Sequence, residues 1–251
     1  MNEYPWSQLS ALCLTISKDI HRTSLPSGHP QLAIENQLFE RWHQVWTETF
    51  QNLGSNPRGF AHDFSRFSFV YCLLDKAHTI VAFLCSTIFD ARSSAHKEHS
   101  YFKRYPKAFI QACEDEASPL LSSLEYCYVS PEWRKAQLPF SLVDILLCLC
   151  ARRAYSWGIP RVIAVTRNDR SVNQVVYQRG GEAVVSNADL HNVKIDMISL
   201  QQSHFKFGTF PQDAWILSLE EGASSSLENS FVQPEGENHE RGTRSTVSNY
   251  S

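Results

Sequence analysis

The sequence predicts a mixed α/β domain in which helices flank a central sheet. Two runs rich in Val, Phe, Tyr and Ile lie within residues 66–89 on either side of the polar stretch DKAH, a pattern typical of an antiparallel hairpin. From residue 125 onward, strand patterns alternate with helical ones, and this order indicates parallel pairing through right-handed crossovers. A hairpin followed by such alternation predicts a sheet with both antiparallel and parallel neighbours.

Each element has its own pattern. Residues 35–54 place apolar side chains three or four positions apart and stop at a glycine, which predicts an amphipathic helix before the hairpin. A long connection, residues 90–122, follows the hairpin and is interrupted by Pro106. The remaining elements are predicted as strand 125–129, helix 140–158, strand 161–166, helix 169–181 and strand 192–200.

The composition predicts a single domain, residues 1–220, followed by a polar tail, residues 221–251. Hydrophobic residues make up 43% of the 251-residue chain, which is enough to bury a core of ordinary size. The tail is rich in Ser, Glu, Asn and Gly, and it has too few large apolar side chains to offset the entropy lost on ordering. We therefore expect the tail to be disordered.

Charge and cysteine usage argue against several classes of protein. A formal net charge of -3 does not suit a dedicated nucleic-acid binder. The seven cysteines include no CxxC pair and the histidines are scattered, so neither a disulfide framework nor a metal site is predicted. No basic leader and no membrane-length apolar stretch of about 18 to 20 residues is found, so the expectation is a cytoplasmic protein without membrane association.

A candidate anion site lies between the strand at 125–129 and the long helix. A short loop that leads into a helix directs unpaired N–H groups and the positive end of the helix dipole at one point. This loop has no glycine, which weakens the prediction, but residues 134–181 hold eight basic residues against two acidic ones. From the charge alone, a solvated helix face is an equally good interpretation. The candidate ligands are Arg134, Lys135, Gln137, Leu138, Phe140 and Ser141.

Residues 124–181 resemble two motifs of the GCN5-related N-acetyltransferase (GNAT) superfamily. The segment YVSPEWRKAQLPFSLVDILL is similar to the motif V-x-P-x-x-R-x-x-G-x-G-x-x-L-L, with Val129, Pro131 and Arg134 on pattern. The segment SVNQVVYQRGGEAV is similar to the helix A-x-x-x-Y-x-x-x-G-F, with Tyr177 and Gly181 on pattern. The order of the elements extends the resemblance over residues 35–200.

Three positions depart from the family pattern. Gln137 and Pro139 replace the two loop glycines, and Glu182 replaces the phenylalanine after the second helix. Since the glycines let the backbone approach a pyrophosphate closely, their loss favours a donor with a single phosphate as an alternative. Acyl-carrier-protein-dependent relatives, such as the N-acyl amino acid synthases and acyl-homoserine-lactone synthases, have such a donor.

The resemblance implies a site between two diverging strands, 125–129 and 161–166, that admit the pantetheine arm of an acyl thioester. It implies direct attack by a neutral amine, with a backbone N–H near Val129 binding the oxyanion and Tyr177 protonating the leaving thiolate. Alternation along the strand puts Glu125 on the face of Cys127 and Val129, where it can act as the base. A structural ion pair for Glu125 and a core tyrosine for Tyr177 are the alternatives, and Cys127 is expected to be an inert thiol.

These observations predict an N-acyltransferase that moves an acyl group, acetyl as first choice, from coenzyme A to an amine. The co-substrate is acetyl-CoA or another acyl thioester, without a metal, and the acceptor is a small molecule or a peptide. Two alternatives remain: a synthase that uses an acyl carrier protein, and a catalytically inactive GNAT scaffold that has lost donor binding and acts only as a binding or regulatory module. Aromatic residues of the long connection are expected to cover the acceptor side of the site or to fill space: Tyr101, Phe102, Tyr105 and Phe109.

Overall fold

The computed structural model describes residues 9–16, 30–55, 60–134 and 138–229. Lys135, Gln137 and the tail from residue 230 lie outside the described residues. The strands are β1 Ser10–Thr15, β2 Phe69–Leu74, β3 Ile80–Ser86, β4 Ile88–Asp90, β5 Leu120–Val129, β6 Arg161–Arg167, β7 Glu182–Leu190 and β8 Val193–Gln201. The helices are α1 Pro30–Asn52, α2 Ser94–Lys97, α3 Lys107–Glu114, α4 Pro131–Arg134, α5 Leu142–Ser156, α6 Val172–Gln178 and α7 Asp213–Asn229.

The strands form one mixed sheet in the order β1-β2-β3-β5-β6-β8-β7, with β4 also paired to β5. This confirms the predicted mixed α/β sheet flanked by helices. Among the described strands, β5 and β6 are the pair that runs parallel, joined by a crossover through α5. The strand β7 was not predicted. It forms a hairpin with β8, and β8 therefore runs antiparallel to β6.

Side chains along the strands point alternately to the two faces of the sheet, and a layer of helices covers each face. On β2, Phe69 and Tyr71 pack in the core formed with α5 and α7, while Val70 and Cys72 pack against α1. The connection between β4 and β5 covers the rest of the α1 face and builds a third apolar cluster around Phe89. Full burial of each such side chain contributes about 1.5 to 3 kcal/mol to folding, so both layers are needed for stability.

A buried charge cluster, which we call the clasp, ties the C-terminal part of the chain to the helices. Arg179, 1% exposed, donates to both carboxylate oxygens of Asp144 at 2.7 and 2.6 Å and to Asp213 Oδ1 at 2.8 Å. Asp144 lies in the first turn of α5, and Asp213 begins α7. The clasp thus holds α5, α6 and α7 together. Residue 220, the predicted end of the domain, lies within α7, which continues to Asn229.

The end of α6 requires a glycine for close backbone contact. Gly180 has a φ of 98°, and a Cβ at this position would lie 2.0 Å from the carbonyl oxygen of His204. Next to it, the Lys206 N–H donates to the Arg179 carbonyl at 2.9 Å. Only a residue without a side chain lets the segment after β8 lie this close to α6.

Candidate active site

The parallel strands β5 and β6 diverge halfway along their length. They are paired from Leu121 and Arg161 up to Leu124 and Ala164. Beyond this point β5 continues beside β3 and β6 continues beside β8. The gap between them opens into a cavity of about 650 Å³, which we call the cleft. The resemblance to the GNAT motifs implies such a divergence of the two strands.

The cleft passes between α1 on one face of the sheet and α5 on the other. Its inner walls are apolar, and the side chains there are Val45, Trp46, Leu84, Leu124, Cys127, Leu147, Ala164 and Val176. Its mouth is cationic, with Arg134, Arg167 and Arg170. An elongated molecule with an apolar end and an anionic end matches this arrangement.

Val129 and the six candidate anion ligands make up the predicted donor site, and five of these seven residues line the cleft: Val129, Arg134, Leu138, Phe140 and Ser141. Ser141 is the N-cap of α5, and its hydroxyl accepts from the Val143 N–H at 3.2 Å. The remaining N–H groups of this first turn and the helix dipole favour an anion here. Lys135 and Gln137, the other two predicted residues, are outside the described residues.

Arg134 is partly engaged by the protein itself. Its Nε donates to the carbonyl of Val129 at 2.5 Å, and its guanidinium lies 5.8 Å from the centre of the Tyr128 ring. These contacts fix the side chain at the end of β5. A pre-positioned guanidinium binds a phosphate at lower entropic cost than a free one.

Arg167 and Arg170 were counted in the sequence as basic residues but were not recognised as part of the site. Arg167 is the last residue of β6 and Arg170 follows it, at the edge of the sheet where β5 also ends. Arg167 forms two hydrogen bonds with Asp169, at 2.9 and 2.6 Å, while the side chain of Arg170 is 64% exposed. Because the carboxyl ends of parallel strands share one edge, their position after a predicted parallel strand was the available signal.

Glu125 lies behind the cleft wall, and its predicted orientation was wrong. Tyr126, with a φ of 55°, forms a bulge in β5, so that two residues face one residue of β3. The bulge shifts the alternation, so Cys127 and Val129 face the α5 core whereas Glu125 lies beside Ser123 on the opposite face. Its neighbours in sequence, Leu124 and Tyr126, line the cleft, but Glu125 does not.

The environment of Glu125 is suited to proton transfer. The side chain is 7% exposed, and its Oε1 accepts a short hydrogen bond from Ser123 Oγ. Burial raises the pKa of Glu125 from 4.5 to about 7, against the lowering effect of the Ser123 hydrogen bond. A carboxylate with this pKa exchanges protons readily near neutral pH.

Tyr177 points away from the cleft. Its hydroxyl donates to Asp196 Oδ2 at 2.6 Å, and the side chain is not among those that line the cleft. Burial, together with the hydrogen bond to Asp196, raises the pKa of Tyr177 to about 12. Asp196 also accepts hydrogen bonds from the side chains of Asn168 and Asn173. Glu125 and Tyr177 are therefore not brought together at the cleft surface.

Cys127 and Tyr126 of β5 also line the cleft. Burial raises the pKa of Cys127 to about 12, so its thiol stays protonated and is a poor nucleophile. Tyr126, missed by the sequence analysis, lies with its ring 4.9 Å from that of Trp46, and its hydroxyl donates to Asp63 Oδ2 at 3.0 Å. The bulge that orients Tyr126 has no signature in the sequence, since glycine is absent from it.

Within the described parts of the chain, no group of three or more His, Cys, Asp or Glu side chains is arranged to hold a metal ion. The same parts contain no helix long and apolar enough to cross a membrane. All seven cysteines are free, and six of them are buried.

Two solved structures with a TM-score of 0.50 or more support the assignment of the fold. A CoA-dependent acyl-homoserine lactone synthase, BjaI, with SAM and isopentyl-CoA, aligns with a TM-score of 0.52 and 11% identity over 86% of this chain and 90% of its own. The same synthase with MTA aligns with a TM-score of 0.50 and 12% identity, over 86% of this chain and 90% of its own. NAA60 of Arabidopsis thaliana in complex with acetyl-CoA aligns with a TM-score of 0.45 and 14% identity, over 66% of this chain and 93% of its own. No family model and no curated protein matches the sequence. The chain has the GNAT-like acyl-CoA N-acyltransferase fold.

Proposed function

We propose that the protein is an N-acyltransferase that moves an acyl group, acetyl as first choice, from coenzyme A to an amine. The observation that carries this proposal is the divergence of β5 and β6 into a cleft with apolar inner walls and a cationic mouth. The acyl and pantetheine parts of the donor match the apolar walls, and its phosphates match the mouth. Similarity of fold to CoA-dependent acyltransferases supports the proposal.

The phosphates of the donor are assigned to both sides of the mouth. On one side, Arg134 and the first turn of α5 with Ser141 provide charge-assisted and N–H donors. On the other side, Arg167 and Arg170 provide further positive charge. Leu138 and Phe140 supply apolar contacts between the mouth and the inner walls. This arrangement does not require the close backbone approach that loop glycines would provide.

In the proposed reaction, the nitrogen of the neutral amine attacks the thioester carbonyl and forms a C–N bond. A backbone N–H near Val129 is assigned to the oxyanion, and the C–S bond then breaks to release the thiolate. Glu125 is proposed to accept the proton of the acceptor ammonium through water, because its two neighbours in sequence, Leu124 and Tyr126, line the cleft and its pKa is about 7. The attacking nitrogen loses a second proton as the C–S bond breaks, and the thiolate takes up one proton, so the products are an amide and a free thiol. Tyr177 can protonate the thiolate only if its hydroxyl leaves Asp196.

Two other functions each have one observation in their favour. The absence of glycine from the loop before α5 favours a donor with one phosphate, such as the phosphopantetheine of an acyl carrier protein. The position of Glu125 and Tyr177 outside the cleft lining favours a catalytically inactive scaffold that acts only as a binding or regulatory module. Neither observation accounts for the buried carboxyl group of Glu125 with a pKa of about 7.

Calorimetric titration with CoA, acetyl-CoA, octanoyl-CoA and an acylated carrier protein separates the three functions. The proposal expects acetyl-CoA to bind, and then release of free thiol when a mixture of amino acids, polyamines and peptides is added. Binding of the carrier protein alone would favour the first alternative. Binding of acetyl-CoA without thiol release for any amine would contradict the proposed catalysis. Failure of every donor to bind would contradict both enzymatic functions and favour the second alternative.

A further inference from the structure

The hydroxyl of Tyr101 lies between β5 and β6 at the point where they separate. It accepts a hydrogen bond from the Val165 N–H at 2.8 Å and donates one to the Leu124 carbonyl at 3.1 Å. Leu124 and Ala164 form the last residue pair of the parallel ladder. The hydroxyl therefore takes the place of the next backbone hydrogen bond and joins two strands that no longer reach each other.

The surroundings of Tyr101 hold its ring in place. The ring stacks on Phe89 with an angle of 6° between the planes and a centroid distance of 6.4 Å. The backbone N–H of Tyr101 donates to His99 Nδ1 at 3.3 Å. The hydroxyl of the neighbouring Tyr105 donates to the Ala164 carbonyl at 2.9 Å. Burial raises the pKa of Tyr101 well above its ordinary value, so the hydroxyl keeps the proton that it donates to Leu124.

The position of this hydroxyl coincides with the inner end of the cleft. Leu124, Ala164 and Val165 all line the cleft, and Tyr101 is bonded to the backbone of two of them. Beyond Tyr101 lies the aromatic cluster of Phe89, Phe102 and Tyr105, on the face of the sheet opposite to α5. Tyr101 is not itself among the residues that line the cleft. It lies behind the backbone of Leu124 and Val165, between the end of the cleft and this second apolar region.

We propose that Tyr101 limits the depth of the cleft and thereby determines the length of the acyl group that the protein accepts. This inference rests on the proposed function, because it assumes that an acyl thioester enters the cleft with its acyl end inward. With Tyr101 in place, a short acyl group ends at the bonded backbone of Leu124 and Val165. A smaller side chain opens the space of the tyrosine ring to a longer chain.

The test is a comparison of acyl-CoA affinities between the wild-type protein and Tyr101→Ala. Dissociation constants for acetyl-, butyryl-, hexanoyl- and octanoyl-CoA are measured by calorimetry. Since each methylene group buried from water improves binding about fourfold, the ratio of hexanoyl-CoA to acetyl-CoA affinity should rise at least tenfold in the variant. Tyr105→Phe is the matched control. It removes a hydroxyl from the same aromatic cluster, but one that does not join β5 to β6, and it should leave the ratio unchanged.

Tyr101→Leu, which keeps an apolar side chain, replaces Tyr101→Ala if that variant does not fold, and the same change in ratio is expected. An unchanged ratio in a folded variant that still binds CoA would overturn the role of Tyr101 and leave the proposed function standing. An equal change in Tyr105→Phe would also overturn it, since the effect would then come from the cluster in general. Failure of wild-type protein to bind CoA or any acyl-CoA would overturn both proposals.

Discussion

The hydroxyl of Tyr177 donates a 2.6 Å hydrogen bond to the carboxylate of Asp196, and this bond directs it away from the cleft. Because the pKa of Tyr177 is raised to about 12, the bonded hydroxyl is a weak acid for a departing thiolate. We therefore expect Tyr177→Phe to lower kcat for thiol release by less than about threefold while it lowers the free energy of unfolding by about 1 kcal/mol. Steady-state kinetics and urea denaturation measure the two effects. A loss of kcat of a hundredfold or more would assign the proton donor to Tyr177 after all.

Glu125→Gln tests the proposed base. Glu125 must be ionised to accept a proton, so kcat/KM of the wild-type protein should rise with pH and level off above about 7. The variant should lose about a hundredfold or more in kcat, and this limb of the pH profile should disappear. Glu48→Gln is a suitable control because Glu48 is an exposed carboxylate on α1, beside Thr49 of the cleft wall. A pH profile unaffected by Glu125→Gln would exclude the role.

The same variant should change stability in a pH-dependent way. The pKa of Glu125 is raised from 4.5 to about 7, so between these values the folded chain holds a proton that the unfolded chain has lost. Stability therefore falls as pH rises through this window. A neutral Gln removes this cost, and Glu125→Gln should be more stable than wild type by up to about 3 kcal/mol at pH 8, but not at pH 4. Thermal unfolding at the two pH values measures this difference in stability between the variant and the wild type. An equal difference at both pH values would contradict the raised pKa of Glu125.

The clasp predicts a large effect of a single carboxylate. Asp213→Ala removes one of the two acidic partners of the buried Arg179 and the acceptor for the N–H groups of Gly208 and Thr209. We expect a loss of about 3 kcal/mol or more in the free energy of unfolding, since a buried charge loses a partner. Asp189→Ala is the control. Asp189 is 79% exposed in its pair with Lys194, and its removal should cost less than about 1 kcal/mol in urea denaturation.

Arg170 allows a test of the mouth of the cleft without disturbance of the fold, since its side chain is largely exposed. Arg170→Ala should weaken CoA binding by about three- to tenfold, because one phosphate contact is lost. Binding of pantetheine, which has no phosphate, should stay the same. Arg92→Ala is matched in charge and exposure, because Arg92 also pairs with a nearby aspartate on the surface. An equal loss in both variants would indicate a general effect of net charge and remove Arg170 from the site.

The sequence was informative where a pattern repeats along the chain. Apolar periodicity predicted α1, the β2–β3 hairpin, β5, α5 and β6, and the loop before α5 was predicted as the donor site. Apolar periodicity did not predict β7, because the side chains of that strand are mostly exposed and have no apolar alternation. The position of Tyr101 between β5 and β6 could not be predicted from the sequence, since the hydrogen bonds of its hydroxyl join residues far apart in the chain. The orientation of Glu125 was wrong because one residue in a bulge reverses every alternation after it.

The clasp also has a consequence for the order in which the chain becomes native during synthesis. Arg179 and Asp213 are separated by 34 positions. At about 5 to 20 residues per second, translation takes roughly two to seven seconds to cover this distance. During that interval Arg179 has only Asp144 as a charge partner in the clasp, and the site for α7 is still unoccupied. The packing of α5 against α6 is therefore completed by a segment that leaves the ribosome after both of them.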